Sequence, residues 1–152
     1  MRRLLVPLAA IMLLASCGGR SNVTAEVVSI DKVCAYEKWK TVAVEGYLAP
    51  ETMICKRASG GKRRSGVVWC SFKVYANQNF SGPNIAVEIP ISGWFSGKNN
   101  RMYGPPSRAE NLQIYDNDGN PIPAGSRIRV FGSLPKSTIC EFGLVDRIDR
   151  VS

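Results

Sequence analysis

Strict alternation is the feature that most limits what this chain can fold into. Val42, Val44, Gly46 and Leu48 alternate with Thr41, Ala43, Glu45 and Tyr47. Val68, Cys70, Phe72 and Val74 alternate with Trp69, Ser71, Lys73 and Tyr75, and Ile85, Val87, Ile89 and Ile91 with Ala86, Glu88, Pro90 and Ser92. Ile128, Val130 and Leu134 alternate with Arg127, Arg129, Phe131 and Ser133. Successive strand side chains point to opposite faces, so a period of two marks strands with one face in a core and one in water. Residues 144–151 read as a last, less regular strand. Gly82-Pro83, Asn99-Asn100, Gly104-Pro105-Pro106 and Asp118-Gly119-Asn120 punctuate the chain as turns. Helical signal is thin. It is confined to residues 107–112, where Ser107 and Glu110 have capping-box spacing, and to residues 28–39, which read as partly helical or as an irregular lead-in strand. The expectation is a mainly β chain with at most one short helix.

The N-terminus carries a different message. Met1-Arg2-Arg3 is a cationic start, and residues 4–14 are an apolar run of eleven. A helix needs about 20 residues to cross a bilayer, so eleven suit the apolar part of a cleaved export signal. Leu14-Ala15-Ser16-Cys17 then resembles the lipobox of bacterial lipoproteins, position for position. In that family the cysteine sulfur receives a diacylglycerol and cleavage falls just before it. The resemblance implies a signal peptide over 1–16, a lipidated Cys17 with a tether over 17–25, and a membrane partner reached through acyl chains. In a Gram-negative cell, Gly18 in place of a retaining aspartate implies the outer membrane, facing the periplasm.

Cysteine arithmetic agrees with export. Of five cysteines, Cys34, Cys55, Cys70 and Cys140 remain once Cys17 is set aside, and an even number in an exported domain reads as two disulfides. The midpoint between Cys55 and Cys70 falls in the turn-rich stretch 58–66, which places the two opposite one another on a hairpin. Cys34 then pairs with Cys140 by elimination. No close Cys-x-x-Cys pair is present, so a zinc site is not the expectation.

Two segments resemble the OB-fold family. Thr41-Val42-Ala43-Val44-Glu45-Gly46-Tyr47-Leu48 resembles its first strand, where a glycine permits sharp coiling, and residues 116–134 resemble the lead into its fourth. Residues 144–151 would be the fifth. The resemblance implies a small OB-like five-stranded barrel over 26–152.

The chain has 20 basic and 12 acidic residues, a net charge of +8, and no histidine. Without histidine there is no Ser-His-Asp triad and no His-ligated zinc or haem. The twelve carboxylates show no evident pairing, and Gly-x-Ser-x-Gly, P-loop and dinucleotide fingerprints are missing. Neither catalysis nor a cofactor is expected. Lys56, Arg57, Lys62, Arg63 and Arg64 put five cations within nine positions, interleaved with Gly60 and Gly61. They read as an anion- or partner-binding loop, or more plainly as a solvated one. Trp69, Lys73 and Tyr75 share the outward face of one strand and resemble a stacking platform. Export argues against nucleic acid there, and packing is the plainer role. Trp94-Phe95 reads as a docking tip or as a plug at one end of a barrel. Asp116-Asn117-Asp118-Gly119-Asn120 begins like a calcium loop, but the twelfth position is Arg127 where a glutamate belongs, so it reads as a hairpin turn.

The expected function is a membrane-anchored envelope lipoprotein, a non-catalytic binding or adaptor module for an anionic ligand or an envelope protein. An inhibitor of an exported hydrolase and an enzyme on envelope polysaccharide are the alternatives.

Overall fold

A computed structural model describes residues 20–36, 39–57, 68–91, 99–104, 112–135 and 140–152. Cys17, the signal-peptide stretch, Lys62, Arg63, Arg64, Trp94-Phe95 and the helical signal at Ser107 and Glu110 lie outside the described residues. The elements are α1 (Ile30–Val33), β1 (Thr41–Arg57), β2 (Val68–Tyr75), β3 (Asn84–Pro90), β4 (Met102–Tyr103), β5 (Gln113–Ile114), β6 (Arg127–Ser133), β7 (Glu141–Phe142) and β8 (Leu144–Arg150). The chain is mainly β with one short helix among the described residues, as the alternation implies.

Six strands form one sheet in the order β7-β3-β2-β1-β6-β8, and β4 and β5 pair separately. This hydrogen-bonded order is an open series, not the closed five-stranded barrel that the OB resemblance implies. The last strand is divided: β7 pairs in parallel with β3, and β8 pairs antiparallel with β6. Only Gly143 separates the two, so the edges of the series are neighbours in the chain. The inward face is the one the alternation marks. Ile85, Val87 and Ile89 of β3 are buried, and so are Cys70, Phe72 and Val74 of β2. They share one cluster with Val44, Val130, Phe142 and Ile148. Full burial of such an aliphatic or aromatic side chain stabilises by about 1.5–3 kcal/mol.

β1 is one strand of 17 residues, where the sequence suggests a strand over 41–48 and another segment around Cys55. A bulge explains the difference. Ala49 faces Lys73 and Ile54 faces Ser71, so residues 50–53 stand against Phe72 alone. Pro50, which has no N–H to give a ladder, falls in this bulge. The Thr52 hydroxyl accepts from the Lys73 N–H (2.9 Å) and donates to the Ala49 carbonyl (2.7 Å), which replaces bonds the bulge removes.

Residues 20–28 are part of the domain. β2 reaches only as far as Tyr47 along β1, which leaves the first half of β1 with an open side. Residues 26–28 fill it: Val28 N–H donates to the Ala43 carbonyl (2.8 Å) and Ala43 N–H to the Glu26 carbonyl (2.9 Å). Ala43 and Phe131, both on the outward side of the alternation, are buried as a result of such cover. The Arg147 guanidinium lies 5.2 Å from the centre of the Phe131 ring. α1 is four residues long, too short to stand alone. Burial of Ile30 and Val33 holds it, together with a disulfide from Cys34, its C-terminal cap, to Cys140 just before β7.

Candidate binding face

Both disulfides follow the pairing read from spacing and elimination. Cys55 and Cys70 are direct cross-strand partners with Cα atoms 4.0 Å apart, and Cys34 and Cys140 are 5.4 Å apart. The first links β1 to β2 two pairs before the last paired residues, Arg57 and Val68.

The outward face of these strands is set by register. Trp69 stands between Lys56 on β1 and Pro90 on β3, and Ser71 between Ile54 and Glu88. Lys73 lies between Ala49 and Ala86, and Tyr75 between Tyr47 and Asn84. Alternate residues repeat every ~6.6 Å along a strand, so the row from Trp69 to Tyr75 runs roughly 20 Å. The sequence placed Trp69, Lys73 and Tyr75 on one face, and the structure does the same. It does not strip the rings for stacking. Both are half-buried, and Tyr75 meets Phe80 edge-on at 6.2 Å. Lys56 and Lys73 are exposed. Arg57 ends β1 in the backbone, and its side chain lies outside the described residues.

Sequence reasoning did not single out three members of this face. Ile54 is 58% exposed beside Lys56, an isolated aliphatic in a polar row. Glu88 and Glu141 approach one another because β3 and β7 pair in parallel, with Ala86 opposite Glu141. The Glu88 carboxyl is held above the usual carboxylate range by partial burial first and by the negative charge of Glu141 second, while Lys56 pulls it back. The hairpin end of the face is therefore a mixed patch, with a lysine and two acids around a tryptophan.

No family model, curated protein or solved structure matches this chain.

On the other half of the outward face the charges are held in ion pairs. Glu45 on β1 takes Arg127 at 2.8 Å and the Nε of Arg129 at 2.7 Å, both from β6. Arg147 pairs with Asp149 along β8 at 2.8 Å. Lys73, by contrast, has no ion pair among the described residues.

The 116–120 segment is the hairpin turn that its missing glutamate suggested. Asp116 Oδ1 accepts the N–H groups of Asp118 (2.9 Å) and Asn120 (2.8 Å), and Gly119 takes a φ of 80°. Asn117, read only as a turn residue, joins four segments. Its Oδ1 accepts from Ser21 N–H (2.7 Å) and Asn100 Nδ2 (2.8 Å), and its Nδ2 donates to the Ser21 carbonyl (3.1 Å). Its own N–H donates to the Ile148 carbonyl at 2.7 Å. Ser21 and Asn117 are 96 residues apart, and no local pattern reports such a contact. Replacing Asn117 by Ala removes three side-chain bonds at about 1 kcal/mol each, so a loss of roughly 2–3 kcal/mol is expected. Urea denaturation measures the loss. Faster amide exchange at Ser21, with the β2–β3 amides unchanged, locates it.

Proposed function

We propose that this chain is an exported lipoprotein, acylated at Cys17 and held at the periplasmic face of an outer membrane. Its β domain binds an anionic ligand or an envelope protein and performs no chemistry on it. The two disulfides support the compartment, because they are compatible with a location outside the cytoplasm and persist in oxidising surroundings. The binding part of the reading rests on one observation. Trp69, Lys56 and Lys73 lie exposed or half-exposed on one face of the β1–β2 pair, whose connecting sequence includes Lys62, Arg63 and Arg64.

Each basic residue near an anionic surface contributes about 1 kcal/mol, so replacing Lys62, Arg63 and Arg64 together by Ala should weaken binding to anionic vesicles or lipopolysaccharide roughly 100-fold at low salt. Salt should screen what remains far less steeply. Co-sedimentation at two ionic strengths reads both effects. Equal binding by the wild type and the triple variant would take the loop out of the mechanism.

A further inference from the structure

We infer that the surface around the 116–120 turn and the C-terminal end of β8 is the one that faces the lipid headgroups. The inference rests on lipidation of Cys17 as proposed above. A free tether over 17–25 would leave the domain able to present any side. The structure removes most of that freedom. Arg20 is ion-paired to Asp118 at 2.6 Å. Ser21 is bonded twice to Asn117, at 2.7 and 3.1 Å, and the Val23 carbonyl accepts from Arg147 at 3.3 Å. Residues 26–28 then continue as a ladder on β1. The Arg20–Asp118 pair is exposed on both sides and contributes little by itself. Asn117 and the β1 ladder hold the segment.

Between Cys17 and Arg20 the sequence has only Gly18 and Gly19. Three residue steps span at most about 11 Å. A lipid on Cys17 therefore brings Asp118 and its surroundings to the headgroup layer, because the docked segment gives out no further chain. The adjoining groove is lined by Asp116, Asp118, Asp149, Arg147 and Arg150. Three aspartates against two arginines give it no attraction for anionic headgroups, so this contact is imposed by the anchor and not by charge. That separates it from a contact made by the basic loop, which needs anionic lipid and fades with salt.

The test uses the full acylated chain, purified from envelopes and reconstituted in vesicles that contain a phospholipid with a photoreactive headgroup. Peptide mass spectrometry then maps the cross-links. They are expected at Asp118, Asn120 and residues 150–152, and should be unchanged by neutral lipid or high salt. Ten Gly/Ser residues inserted between Gly19 and Arg20 add up to about 35 Å of reach, and should abolish the preference without touching the fold. Cross-links concentrated on Ile54, Lys56 and Lys73, or a pattern indifferent to the insertion, overturn the orientation. The mass of the N-terminal peptide is a separate readout. An unmodified Cys17 removes the anchor itself and this inference with it, whereas a lipidated Cys17 with the wrong map removes the orientation alone.

Discussion

Replacing Cys34 and Cys140 together by Ser is expected to destabilise the domain by about 4–5 kcal/mol, because cross-links that close loops of ~100 residues remove the most freedom from the unfolded chain. This pair closes a separation of 106 residues, the other pair only 15. On the same chain-entropy argument, loss of Cys55–Cys70 costs about 3 kcal/mol. The long loop also carries a local consequence. α1 has four residues, and its C-terminal cap is Cys34. Without the covalent tie, Ile30 and Val33 are held in the core by packing alone. Domains have a total stability of about 5–15 kcal/mol, so the Cys34/Cys140 variant should lie close to its unfolding threshold at 37 °C. Urea midpoints of the two double-serine variants, with the wild type in oxidised and reduced form, order the effects. A larger loss from the Cys55/Cys70 variant would show that loop length is not what governs stability here.

The fold was legible where burial is one-sided. Along β3 the residues read as inward are buried and those between them are half-exposed, because period two survives wherever a strand has one wet face. Legibility stopped where a second partner covers the outer face. Phe131 and Ser133 alternate correctly with Val130, yet both are buried. The β1 bulge hid the continuity of that strand, since three extra residues opposite Phe72 break the period, and β4 and β5 are two residues each, too short to show one. At the candidate site, Trp69, Lys73 and Tyr75 were readable as one face from β2 alone. Glu88 and Glu141 were not, because their approach depends on a parallel pairing between strands far apart in sequence. The docking of Ser21 on Asn117 belongs to the same class of long-range polar contact.

Gly46 gives the second large effect. Its place in the first strand resembles a position where glycine permits coiling, but the structure gives a different reason for it. Gly46 faces the core opposite Ile128, at the point where β1 passes from β6 to β2. A Cβ built there would lie 2.4 Å from the Tyr75 carbonyl oxygen and 2.8 Å from both Ile30 Cδ1 and Val74 Cγ1. Ile30 belongs to α1, so the missing side chain is the space into which the helix packs. The Tyr75 carbonyl is backbone, fixed by the β1–β2 ladder, and cannot step aside as a side-chain tip can. Gly46→Ala should therefore cost about 3 kcal/mol, the upper end for forcing one methyl into a packed interior. For a domain of this size that is a fall in Tm of roughly 10 °C. Gly132→Ala meets the Leu144 carbonyl oxygen at 2.5 Å and should behave alike. Gly143 is the control. A Cβ there finds only Pro135, at 3.5 Å and beyond, so Gly143→Ala should be neutral or stabilise by about 0.5 kcal/mol through the unfolded chain. Thermal melts of the three variants decide the matter: similar Tm values for Gly46→Ala and Gly143→Ala would mean that α1 does not pack on β1 at this point.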